Sequence, residues 1–173
     1  MPHLKPRRHW IRNAAWSTAC FLTSDLQAFN RVNPIEVQTS NGRVVLEDKP
    51  NEFLFIDFWA SWCPPCIEAF PWLERIHQIF GMTRRTQIAK LRVVAINLDH
   101  DKESAVRFTE KLKPSFEIVF VDGEKIARQF PIRTMPTSFL IDKKRDIRWS
   151  HQGFHSRDVA RLELQIERDL NIW

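Results

Sequence analysis

Cys63 and Cys66 stand two residues apart in Trp62-Cys63-Pro64-Pro65-Cys66. Such a pair can trade a dithiol for a disulfide. It could also supply half of a zinc site, or be two packed and inert thiols. A closed zinc site needs four ligands, usually with a second pair at short spacing; Cys20 is isolated, and His77 stands alone on the helix expected after the pair. No metal ligand set is therefore expected, and dithiol–disulfide exchange needs no cofactor. With Cys20 the chain has three cysteines, too few for a structural disulfide framework.

Redox chemistry depends on what precedes and follows the pair. Before it, Phe53-Leu54-Phe55-Ile56-Asp57-Phe58 is a nearly continuous apolar run, as expected of a strand buried on both faces. After it the pattern predicts a helix to about Phe80, kinked at Pro71 and closed by Gly81. Cys63 then sits at a helix N-terminus, where unpaired N–H groups and the helix dipole favour negative charge. The thiol pKa falls from roughly 8.5 toward about 7 or below, so thiolate exists at neutral pH. Cys66, one turn deeper, is placed to attack the first sulfur and resolve a mixed disulfide. The two prolines take positions whose N–H groups would be orphans anyway.

One carboxylate interrupts the apolar strand. Asp57 is costly there unless it is neutral or useful, and we expect it to accept the proton of Cys66. The alternative is an aspartate at the strand end that reaches solvent.

The rest of the chain alternates strand and helix. Ile35–Val37 and Arg43–Leu46 flank the turn Ser40-Asn41-Gly42, a hairpin signal. Leu91–Leu98, Glu117–Val121, Thr137–Ile141 and Ile147–Trp149 read as strands. A helix is expected over Asp101–Leu112, with Ala105, Phe108, Thr109 and Leu112 on one face. A short helix is expected at Ile126–Phe130. A last helix opens at Ser156 as N-cap and buries Val159, Leu162, Ile166 and Leu170. The expected class is α/β, a central mixed sheet with helices on both faces and a short N-terminal hairpin.

Of 173 residues, 43% are hydrophobic and 27% charged, a globular composition. The formal charge of +5 is concentrated at the start: Lys5, Arg7, Arg8, Arg12 and Arg31 against Asp25 give +4 over residues 1–31. The nearly neutral remainder has no footprint for nucleic acid. Residues 1–31 form a separate basic segment, and 32–173 the folded domain. Ala14–Leu22, nine residues without charge, has the length of a signal-peptide apolar region and is too short to cross a bilayer. A degenerate export signal or anchor, or a basic tail, fits this segment.

Three stretches together resemble a known family: Phe58-Trp59-Ala60-Ser61-Trp62-Cys63-Pro64-Pro65-Cys66, Met135-Pro136-Thr137-Ser138-Phe139-Leu140-Ile141-Asp142, and Gly153-Phe154. They are similar to the TlpA/ResA-type thiol–disulfide reductases of the thioredoxin superfamily, over about residues 33–170. The resemblance implies a thioredoxin fold and a periplasmic or membrane-tethered protein. It also implies disulfide-containing client proteins and an upstream dithiol donor such as a membrane thiol reductase. Pro136 matches the family's cis-proline, which leaves the Met135 backbone free to pair with an extended substrate. Trp62, Met135 and Pro136 are then the expected substrate-binding residues. A glutamate common in this group three residues after the second cysteine is replaced by Ala69. Glu68 is one residue off, about 100° around the helix. A cytosolic thioredoxin- or tryparedoxin-like donor, and a non-catalytic client-binding module, remain as alternatives.

Overall fold

A computed structural model describes residues 32, 35–39, 42–46, 52–81, 90–120, 126 and 129–170. Residues 1–31, with Cys20, and the 82–89 segment lie outside the described residues. The hairpin strands β1 (Ile35–Thr39) and β2 (Gly42–Leu46) pair antiparallel, Thr39 opposite Gly42. The main sheet holds β3 (Glu52–Trp59), β4 (Lys90–Asn97), β5 (Glu117–Phe120), β6 (Thr137–Ile141) and β7 (Ile147–Gln152). Its order is β5-β4-β3-β6-β7. The β3–β4 and β4–β5 pairs are parallel, and the β3–β6 and β6–β7 pairs antiparallel. The sheet is mixed, with the strand that leads to the cysteines at its centre.

Strand alternation sorts the core into two layers. Phe55 and Trp59 of β3, Val93 and Ala95 of β4, and Leu140 of β6 face one side. Against them pack Phe70 and Leu73 of helix α1 (Pro64–Ile76), Ala105 of α2 (Lys102–Leu112), and Leu162 and Ile166 of α3 (Val159–Asp169). Edge-on ring contacts tie this layer together, Trp59 to Phe70 at 4.8 Å and Phe55 to Trp72 at 5.6 Å. On the other face Ile56, Phe58, Val94, Ile96, Phe139 and Ile141 meet Val32, Ile126 and Phe130. The expected helical cover is thus unequal. All three long helices contribute to the first layer, and among the described residues the second is covered by the single turn that ends at Phe130, closed by N–H bonds from Gln129 and Phe130 to the Ile126 carbonyl.

Three local expectations are corrected. Gly81 does not cap α1 in a left-handed conformation; the chain passes instead through a π-helical turn, His77–Gly81. Glycine is needed there for close approach, since a Cβ would lie 2.9 Å from the Leu91 carbonyl oxygen and 3.1 Å from His77 Nδ1. Ser156 does not cap the last helix: it begins a 3-10 turn, Ser156–Asp158, and His155 precedes it without a side-chain cap. Leu112 lies 45% exposed at the end of α2, where the chain leaves the helix through Lys113 at φ 50.

Candidate functional site

The site begins where β3 ends. Leu98 donates its N–H to the Trp59 carbonyl at 2.9 Å, and Cys63 donates to the Ala60 carbonyl at 3.1 Å, so the chain turns sharply between strand and helix. Cys63 is the N-cap of α1, in extended conformation at φ −103 and ψ 99, with Pro64 and Pro65 in the first helical positions. Its carbonyl accepts the N–H groups of Cys66 and Ile67 at 3.0 and 3.2 Å. Its Sγ accepts the Cys66 N–H at 3.3 Å. No acidic residue occupies the first turn. The sulfur of Cys63 thus sits against the positive end of a helix dipole, the arrangement that favours thiolate over thiol.

Cys63 and Cys66 are joined as a disulfide, Cα to Cα 5.3 Å. Cys66 is fully buried and Cys63 nearly so, while Trp62 beside them is 68% exposed. Of a bonded pair, the outer sulfur is the one an incoming thiol or disulfide can approach.

Asp57 is buried within the sheet rather than at its solvated edge. It shares the face of Phe55 and Trp59, the face that α1 and Cys66 cover. Ser138, its partner across β6, donates its hydroxyl to Asp57 Oδ1 at 2.6 Å. Oδ2 has no hydrogen-bond partner among the described residues. Burial pushes the carboxyl up from its ordinary 3.8 to about 7, against the lowering effect of the Ser138 hydroxyl. A carboxyl poised there can both take and release a proton near neutrality. Ala69 is buried in the same layer, and Glu68 is exposed, as the one-residue helical offset requires.

Met135 packs, half-buried, against the layer that holds both cysteines, and its peptide bond to Pro136 is cis. Thr137 pairs with Phe58, so Pro136 lies beside the end of β3 from which the cysteine loop departs. The Pro136 carbonyl is taken by the Gly153 N–H at 2.7 Å, and Gly153 alone among the described glycines has a positive φ, 76. Two of the three stretches singled out in the sequence, Met135–Asp142 and Gly153-Phe154, therefore meet here.

A second carboxylate was missed in the sequence. Both oxygens of Asp99 accept the Ser61 N–H, at 3.1 and 3.0 Å. Asp99 in turn takes the Asn97 side-chain amide at 3.2 Å and gives its own N–H to Asn97 Oδ1 at 3.1 Å. This clamp fastens the loop ahead of Cys63 to the end of β4. Two polar residues, i and i+2, closing an apolar strand were the available signal. No group of three or more His, Cys, Asp or Glu suited to a metal is assembled among the described residues.

The family model described as thioredoxin-like matches residues 51–147, more than half of the chain. The chain belongs to the thioredoxin-like family. Within it, it is of the TlpA/ResA type. Thiol-disulfide oxidoreductase ResA of Geobacillus kaustophilus is 26% identical over 120 residues, which are 69% of this chain and 66% of that protein. ResA of Bacillus subtilis is 25% identical over 104 residues, 60% of this chain and 55% of that one. The chain thus matches somewhat less than two thirds of the length of these relatives. A Chlorobium tepidum structure described as a thiol:disulfide interchange protein DsbE is 32% identical, covers 82% of this chain and 96% of its own, and superposes with a TM-score of 0.71. StoA from Bacillus subtilis, at 22% identity and TM-score 0.62, covers 78% and 97% and shares the fold.

Proposed function

We propose that this protein is a thiol–disulfide oxidoreductase that reduces disulfides in client proteins, with Cys63 as nucleophile and Cys66 as resolving thiol. The observation that carries this reading is the placement of Cys63 Sγ at the N-terminus of α1, accepting the Cys66 N–H. In the reduced protein the Cys63 thiolate attacks a client disulfide. One client sulfur leaves as thiolate and the other stays bonded to Cys63. Cys66 then passes its proton to Asp57 and attacks Cys63 Sγ. The second client sulfur leaves, and the protein carries the disulfide between Cys63 and Cys66. An upstream dithiol donor returns it to the dithiol form, two electrons and two protons per cycle.

Trp62, exposed beside the pair, and Met135 with Pro136 offer the client an apolar surface and a free backbone edge. A client-facing location outside the cytoplasm, reached by export or through a membrane tether, agrees with the basic excess of residues 1–31. Among the described residues no helix is long and apolar enough to cross a membrane. Fusion of residues 1–31 to a reporter active only outside the cytoplasm tests that location; a silent reporter with cytosolic recovery of the full chain would favour a cytosolic donor.

Reduction of insulin disulfides with dithiothreitol as donor tests the activity. Turnover by the parent and its loss in Cys63→Ser are expected. An inactive parent that still binds reduced and oxidised clients alike would instead make the domain a binding module.

A further inference from the structure

A buried base that takes a proton in every cycle must also lose it, and Asp57 has no direct contact with solvent. The strand register supplies a lateral row. Ala95 of β4, Asp57 of β3, Ser138 of β6 and His151 of β7 are successive cross-strand partners. Partners directly opposite point to the same face, with Cβ atoms about 4.5–5.5 Å apart. The row therefore runs from the centre of the sheet to its β7 edge, on the face that covers the cysteines. It is polar from Asp57 outward. Ser138 already donates to Asp57 Oδ1, and a hydroxyl that donates can also accept.

His151 ends the row. Its side chain is 17% exposed, and its Nε2 is buried without a hydrogen-bond partner among the described residues. It faces Asp158 of the 3-10 turn, Nε2 to Oδ2 4.0 Å. Asp158 also lies 4.0 Å from the Arg161 guanidinium of α3. The other charge that acts on the imidazole is His155 in the connecting loop. A buried imidazole nitrogen without a hydrogen bond, next in line to a hydroxyl that serves a buried carboxylate, is a polar group whose burial calls for a reason.

We propose that His151 is a positioning residue for the Asp57 proton: it draws that proton out through the Ser138 hydroxyl and hands it to solvent at the β7 edge. The inference rests on the reading of Asp57 as the base of the resolving step. In balance, Cys66 Sγ–H gives its proton to the Asp57 carboxylate and the carboxylic acid turns its O–H toward Ser138. Ser138 then accepts that proton as it donates its own to neutral His151, whose Nε2, unpartnered among the described residues and facing Asp158 in this structure, must first turn toward the hydroxyl. The imidazolium releases the proton to water, and Ser138 turns back to Asp57. No electron moves in this return. Burial, with Arg161 and His155, holds His151 below its ordinary value against the opposite pull of Asp158, so it is neutral and able to accept near pH 7. Asp57, at about 7, therefore holds its proton over the range in which the His151 imidazole is free to receive one.

The chromogenic disulfide dithiobis(nitrobenzoate) separates the steps. Reduced protein releases one nitrothiobenzoate when Cys63 attacks and a second when Cys66 resolves. At about pH 6 roughly nine-tenths of Asp57 starts protonated and must lose its proton before resolution. His151→Ala should then slow the second release at least about tenfold, leave the first unchanged, and be restored by added imidazole. The slowing should fade above about pH 8, where Asp57 starts ionised. His151→Gln and Ser138→Ala should slow the same phase over the same pH range. Slowing that is equal at every pH and indifferent to imidazole would make His151 structural and overturn the proposal, as would a parent-like second phase. Asp57→Asn, run in parallel, tells the two readings apart. If it resolves at the parent rate, the base assignment fails. If it is slow while His151→Ala is not, the proton route alone fails.

Discussion

Replacing Asp57 with asparagine separates the two consequences of its burial. The carboxyl titrates at about 7 in the folded protein against an ordinary 3.8, chiefly because burial disfavours the charge. Between those values the folded state holds a proton that the unfolded state has lost. Its contribution to stability is fully present below about pH 3.8 and is lost as pH rises through about 7. At about 1.4 kcal/mol per pH unit, the gap is worth about 4 kcal/mol. Asn keeps the shape and the acceptor for the Ser138 hydroxyl and carries no charge. The stability of Asp57→Asn relative to the parent should therefore grow by about 4 kcal/mol between about pH 4 and pH 8, read from urea midpoints of the reduced proteins. The same change removes the proton acceptor. General-base catalysis is worth about 10²–10⁴-fold, about 3 to 5 kcal/mol of barrier, so resolution should slow by that factor while the first attack by Cys63 changes little. Parallel loss of stability in both proteins would show that Asp57 is not held protonated by burial. Parent-rate resolution in the variant would show that another group takes the Cys66 proton.

Asp99→Ala removes the acceptor for the Ser61 N–H and the Asn97 amide. Left without partners, these groups should cost about 2 kcal/mol and about 4–8 °C in Tm by calorimetry. A slower attack by Cys63, in the stopped-flow first phase, should accompany the loss; an unchanged Tm would remove the clamp from the account. Gly81→Ala forces a Cβ to within 2.9 Å of the Leu91 carbonyl oxygen. It should cost about 1–3 kcal/mol in a urea melt without altering either exchange step, and a neutral result would mean that the π-helical turn yields.

What the sequence made legible was whatever rested on residue type at fixed spacing. The continuous apolar run into the Cys-x-x-Cys pair yielded the buried strand, the helix start and the place of Cys63 at that start, because each follows from local geometry. The burial of Asp57 was legible for the same reason, since Phe53–Ile56, Phe58 and Trp59 around it are all apolar. Its partner was not. Ser138 lies 81 residues away, and only the β3–β6 register brings its hydroxyl to the carboxylate. Asp99 was hidden likewise, because its target is a backbone N–H on another element. Local signals failed where tertiary packing overrode them. Ser156 has an N-cap's chemistry, yet the chain enters α3 through a 3-10 turn after Phe154 is buried. Gly81 reads as a helix stop, yet its lack of a side chain serves the approach of β4.

Trapping with single cysteine variants tests the exchange mechanism most directly. Cys66→Ser keeps the nucleophile at the helix N-terminus and removes the resolving thiol, so intermediates cannot be released. Incubated with oxidised client protein, or expressed in cells, this variant should accumulate mixed disulfides. These would be visible as reductant-sensitive adducts by mass spectrometry, each mapped to Cys63. Cys63→Ser should form few, because Cys66 is fully buried. Equal trapping by both variants, or adducts on Cys66 alone, would contradict the assignment of Cys63 as the attacking sulfur and the mechanism built on it.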